Sequence, residues 1–173
     1  MDLIAKIAAA FAHRRIPAEV VEMEGRFHVD SDVEKAPWFA GRDWRTITRD
    51  DWQQRYSAVF FLSPEAFAYY LPSLLIVTVQ NPRSYPELAV DSFIGLLDHT
   101  PAMEFLDAHL IDRFLGLTDA EFDAIKEWLL FVCENVPFGA WGSAASGPGE
   151  IFGRAFDTVT LLQEEARRRR ALG

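Results

Sequence analysis

The stretch from Ser63 to Val79, SPEAFAYYLPSLLIVTV, decides the fold class. Ser63 suits a helix N-cap, because its hydroxyl can accept from a first-turn backbone N–H. Pro64 then falls at the first helical position, where a missing N–H removes no bond. Leu62 and Phe67 have the spacing of a hydrophobic staple, and Glu65 places negative charge at the positive end of the helix dipole. From Ala66 to Val79 no residue is charged and apolar side chains fall on every side, the pattern of a helix packed on several faces. The spacing therefore predicts a central core helix over Pro64–Val79. Pro72 in its interior removes the bond to the carbonyl of Ala68 and should kink it. The β-branched run Ile76, Val77, Thr78 and Val79 leaves a strand over Leu74–Val79 as the lesser reading.

Towards the N-terminus, Leu3, Ile4, Ile7, Ala8 and Phe11 recur at helical spacing behind Asp2. They predict a capped helix over Asp2–Arg14, stopped by Pro17, with Arg14 and Arg15 at its negative pole. Between Ala18 and Trp44 the signals conflict. Val20, Val21 and Met23 alternate with Glu19, Glu22 and Glu24 ahead of Gly25, so a small β-hairpin near residues 18–29 and an irregular surface segment are equally compatible. Ser31-Asp32-Val33-Glu34 has the form of a capping box and predicts a short helix ending near Pro37 or at Gly41. Thr48 can cap a helix through Trp52, Tyr56 and Val59 that leads into the central one.

On the C-terminal side the pattern predicts a helix over Pro86–Leu97 and one or two helical turns over Ala102–Leu115. Thr118-Asp119-Ala120-Glu121 is the clearest capping box in the chain. It opens a helix whose buried stripe is Phe122, Ile125, Trp128, Leu129, Val132 and Cys133. A last helix is expected over Gly149–Arg170. The result is an all-α or mainly α chain, one domain over residues 1–173, with roughly five to seven helices around the kinked central one.

At 173 residues the chain can bury roughly 70% of its unfolded surface, and a hydrophobic content of 50% argues against disorder. Cys133 is the only cysteine, so no intrachain disulfide forms. With no signal-peptide pattern at the N-terminus, a reducing, cytoplasmic setting is expected. The longest charge-free segment, Ala66–Pro82, contains two prolines, Gln80 and Asn81, and falls short of the ~18 apolar residues of a membrane span. Seventeen basic against 26 acidic residues give a net charge of −9, which repels nucleic-acid phosphates, favours basic partners and aids solubility.

Four pieces of the chain, Ala10-Phe11, Gly41-Arg42-Asp43-Trp44, Leu62 to Pro72 and Leu117-Thr118, together resemble a family of small bacterial proteins classed only as a domain of unknown function. The resemblance spans residues 10 to 132. It implies a bacterial source and a shared fold, and it implies no activity. The Arg167 to Arg170 run stands outside it.

The surface that points most directly to a partner is acidic: Glu19, Glu22, Glu24, Asp30, Asp32 and Glu34, relieved only by Arg26 before Lys35. The leading expectation is a non-enzymatic, cytoplasmic bacterial interaction module without a cofactor, whose acidic surface takes a basic protein. The alternative is a small metal-dependent enzyme or ligand binder using the segment from Asp98 to Asp112. There His99 and His109, with Asp107 and Asp112, are the candidate acid/base or ligand groups, since imidazole nitrogen and carboxylate oxygen suit a divalent metal. No fixed spacing of the HExxH kind gathers them, and a solvated acidic face explains the same residues.

Other patterns carry less chemistry. His28, Asp30, Asp32 and Glu34 would share one side of a strand, but an EF-hand starting at Asp30 would need glycine where Lys35 stands. Gly142, Gly147 and Gly149 are followed by no P-loop Lys and Ser/Thr. Cys133 is expected to be buried and inert. Trp52, Tyr56, Tyr69, Tyr70 and Trp141 are expected in the core with their polar tips partnered. The Arg167–Arg170 run is expected to complement its helix dipole and remain solvated, not to hold nucleic acid.

Overall fold

The computed structural model of the chain describes residues 2–21, 35–137 and 147–173. Among these residues seven α-helices occur: α1 Leu3–Ala10, α2 Arg49–Gln54, α3 Pro64–Gln80, α4 Glu87–Leu97, α5 Ala108–Leu115, α6 Asp119–Asn135 and α7 Pro148–Leu172. Short 3-10 turns at Pro37–Phe39, Trp44–Thr46, Tyr56–Phe60 and Met103–Phe105 connect them. The fold is mainly α. Its only β pairing among the described residues is an isolated antiparallel bridge between Val21 and Leu62. Residues 22–29 of the expected hairpin lie outside the described residues. Val20 and Val21 turn towards the start of α3, where Val20 O accepts from Ser63 N at 2.9 Å.

Helix α3 is the core element. The Ser63 hydroxyl accepts from Ala66 N at 3.2 Å and donates to Glu19 O at 2.9 Å, so one side chain both caps the helix and fastens the incoming segment. Twelve of its 17 residues are buried, and α1, α2, α4, α5, α6 and the Trp44–Thr46 turn all pack on it. The β-branched run at its end is helical. With helices on its flanks, the i to i−4 ladder satisfies the backbone of Leu74–Val79.

The helix continues through Pro72. Next to that weakened turn, Ser73 Oγ donates to Tyr70 O at 2.6 Å and accepts from Trp52 Nε1 at 2.8 Å, which ties α2 to α3. Tyr70 donates its hydroxyl to Phe39 O, and its ring stands 5.1 Å from Phe39, which lies 4.9 Å from Trp52. Burial, reinforced by neighbouring Tyr69, pushes the Tyr70 hydroxyl up to about 12. Trp52, Tyr69 and Tyr70 are core residues with partnered polar tips, as expected, whereas Tyr56 is half-buried. Trp141 lies outside the described residues.

Several boundaries differ from expectation. Asp2 occupies the N-cap of α1 without a side-chain bond, and the helix stops at Ala10, short of Arg14. Arg14 is drawn away to a distant partner: its Nε and Nη2 each lie 2.7 Å from the Glu121 carboxylate, and Nη2 also donates to Gly116 O at 2.6 Å. The Thr48 capping box forms with Asp51, but α2 ends at Gln54 and the chain tightens into the Tyr56–Phe60 turn. Arg55, at φ −123° and ψ 32°, breaks the α geometry there. Cys133 is exposed. On α6 the inward phase runs through Ile125, Leu129, Val132 and Val136, and Cys133 sits one residue past it.

The final arginines are more than solvated dipole partners. Arg167 and Arg170 reach Asp119 at 3.0 and 2.9 Å, and Arg170 donates to Leu117 O at 2.8 Å. Arg168 and Arg169 close on Glu165 at 2.7–2.8 Å. Arg14 and Arg170, from opposite ends of the chain, thus meet the carbonyls that follow α5, where a helix leaves acceptors unsatisfied. Helix α7 itself lies against α4, α5 and α6, burying Ile151, Ala155, Val159 and Leu162.

Candidate functional site

Helix α5 builds one wall of the site. Asp107 caps it, its carboxylate accepting from Leu110 N at 2.8 Å. His109 and Arg113 are four residues apart and share one face, while Leu110, Arg113 and Phe114 share the inward phase. Arg113 is therefore carried into the interior and is only 1% exposed.

Its Nη2 donates to Phe60 O, on the 3-10 turn ahead of α3, and lies 2.6 Å from His109 Nε2. A guanidinium only donates, so His109 Nε2 stands on the accepting side of this contact. The Phe67 ring of α3 lies 5.7 Å from the guanidinium carbon, within reach of a cation–π contact. Three separate elements thus hold one buried cation.

Beside it opens a cavity of about 400 Å³. Phe60, Phe61, Leu96 of α4 and Leu110 form its apolar walls, and Asp107, His109 and Arg113 supply the polar ones. Phe60 is 37% exposed.

The structure brings together part of what the sequence singled out. His109 and Asp107 both line this cavity, whereas His99 and Asp112 do not. His99 follows the end of α4, and Asp112 is exposed on α5. Asp98 is engaged by Arg154 at 2.6 Å. Among the described residues no three His, Cys, Asp or Glu side chains gather so as to hold a metal ion. Of the acidic set, Glu19 is exposed, and Glu22, Glu24, Asp30, Asp32 and Glu34 lie outside the described residues. So do His28, the Ser31 capping box and Gly142.

Arg113 is the residue that sequence reasoning missed. Its signal was present as a charged residue on the apolar phase of α5, at i+3 from Leu110. A second arrangement of cations lies apart from the cavity: Arg42 and Arg55 each stack 3.8 Å from the Trp38 ring. Arg42 is held by Trp38 O at 2.8 Å and Arg55 by Asp51 at 3.6 Å, so that stack serves the loop's own packing.

No helix among the described residues is long and apolar enough to cross a membrane. Residues 1–140 match the model of a family described as a family of unknown function (DUF6714), and the chain belongs to that family. Every described residue that lines the cavity falls within the match, and α7 lies beyond it. No curated protein and no solved structure matches the chain.

Proposed function

We propose that the protein is a binding module for a small, mainly apolar ligand, taken between α5, α4 and the Tyr56–Phe60 turn. The observation that carries this reading is the cavity of about 400 Å³, whose described lining sets apolar Phe60, Phe61, Leu96 and Leu110 beside a polar end. Ligand sites are commonly concave, apolar and supplied with a few placed polar groups, in volumes of ~300–1,000 Å³. The lone Cys133 supports a reducing, cytoplasmic setting. The ligand-binding half of the Asp98–Asp112 expectation is thereby favoured over its metal-dependent half. A basic protein partner for the acidic segment is supported by the net charge of −9 alone.

The test is amide chemical-shift mapping with a panel of amphipathic fragments. Binding is expected to move the amides of Leu96, His109 and Leu110. Leu96→Trp, from a partly exposed wall position, should fill the cavity and abolish the response while the spectrum stays folded. A panel that shifts none of these amides in the unaltered protein would sink the proposal.

A further inference from the structure

We infer that the ligand of this cavity is elongated, with an apolar body that continues beyond the cavity onto the ring of Phe105, an inference that rests on the cavity being a binding site. The cavity is not sealed. Of its described lining Leu110 and Arg113 are buried, whereas Phe60, Phe61, Leu96, Asp107 and His109 all keep some exposure. Sites of this kind cover roughly 70–90% of a ligand's surface, so part of an occupant stays outside. The residues next to the cavity then select the chemistry of that part.

Phe105 is placed to do so by the backbone ahead of α5. The Met103–Phe105 turn ends at Leu106, extended at φ −91° and ψ 131°, and Asp107 follows at φ −72° and ψ 154°. Side chains alternate in direction along extended backbone. Leu106 is buried in the core, and the residues on either side of it, Phe105 and Asp107, are both exposed. Asp107 lines the cavity, and two residues before it the Phe105 ring is 62% exposed. The Asp107 carboxylate is engaged by Leu110 N at 2.8 Å, which leaves the Phe105 ring as the apolar surface of this stretch. A compact occupant would leave that ring in water. An elongated one covers it and gains the transfer free energy of both surfaces, with a further gain where ring meets ring.

The experiment compares benzyl alcohol with 4-biphenylmethanol on the full chain, by calorimetry and by amide shifts. The two probes share a head group, and the second adds a rigid ring that cannot fold back. Both are expected to move the amides of Leu96, His109 and Leu110, and 4-biphenylmethanol alone those of Phe105 and Leu106. Phe105→Ser, at an exposed position that tolerates substitution, should weaken 4-biphenylmethanol about five-fold and leave benzyl alcohol within about two-fold. Phe105→Trp keeps an aromatic face and should retain the binding of both. If Phe105→Ser weakens the two probes equally or neither of them, or if it alters self-association in place of binding, the elongated-ligand inference is overturned and the cavity reading stands. If neither probe moves Leu96, His109 or Leu110, the cavity reading falls and this inference with it.

Discussion

Glu121 at the start of α6 and Arg113 near the end of α5 are buried almost equally, 0% and 1% exposed, yet their surroundings differ. Glu121 is answered within the chain. Arg14 grips it with two bonds of 2.7 Å, and Thr118 N donates to it at 2.7 Å as part of the capping box. That carboxylate therefore serves as a clasp, holding the end of the N-terminal segment against α6. Arg113 meets a backbone carbonyl, an imidazole and an aromatic face, and it borders a cavity. Burying a charge costs free energy in either place. What stands beside each differs: the end of the N-terminal segment fastened to α6 in one case, a cavity in the other.

The sharpest way to break this contrast is Arg14→Ala. It leaves the Glu121 carboxylate buried without its cation, and a loss of about 3 kcal/mol or more is expected in urea denaturation. A loss below about 1 kcal/mol would mean that Glu121 is not held by the pair. Arg113→Met should be milder, about 2 kcal/mol, because the apolar stem of methionine refills much of the volume. Should Arg113→Met prove the more damaging of the two, Arg113 is the clasp and the contrast inverts.

A neutral buried network supplies the reference between them. Ser73→Ala removes the acceptor of Trp52 Nε1 and should cost about 1.5 kcal/mol by the same measurement.

Acid titration separates the clasp from a more peripheral carboxylate. The guanidinium of Arg168, and then that of Arg169, holds the Glu165 carboxyl down to about 2 from an ordinary 4.5. Its folded value is depressed, so its contribution is present above the unfolded-state value and is lost as pH falls from about 4.5 to 2. The Tm difference between the unaltered protein and Glu165→Gln should accordingly be seen at pH 6 and close by about pH 2. A difference that stays constant across that window would show that the ion pairs contribute nothing. The smallest effect belongs to Arg167→Ser combined with Arg170→Ser. These exposed arms on Asp119 should alter Tm slightly at low salt and not at about 1 M salt, where the Debye length is about 3 Å.

Two of the three polar residues described at the cavity, His109 and Asp107, were legible in the sequence, because such residue types close together in a short segment invite chemistry. Arg113 was not, since arginine on a surface helix ordinarily points to solvent. Only the packing of α5 against α3 and the Phe60 turn shows that its phase is inward. His99, set beside His109 in the alternative reading, does not line this cavity for a related reason. Met103–Phe105 and the start of α5 intervene, and nothing in the spacing specified where they would aim the two rings.

What the sequence determined by itself is where helices begin and which one lies at the centre. Ser63, Thr48 and Thr118 each cap a helix through a bond to the third residue on, a span that local chemistry settles. The uncharged run of α3 left it no side to expose. Tertiary structure decided where α1 ends, which way Cys133 faces, where Arg14 and Arg170 reach, and that Arg113 meets Phe60. Arg14 and Glu121 are 107 residues apart, and Arg113 and Phe60 are 53. Contacts at such separations are chosen by the packing of whole helices, because a charge enters the interior only where its partners are already in place.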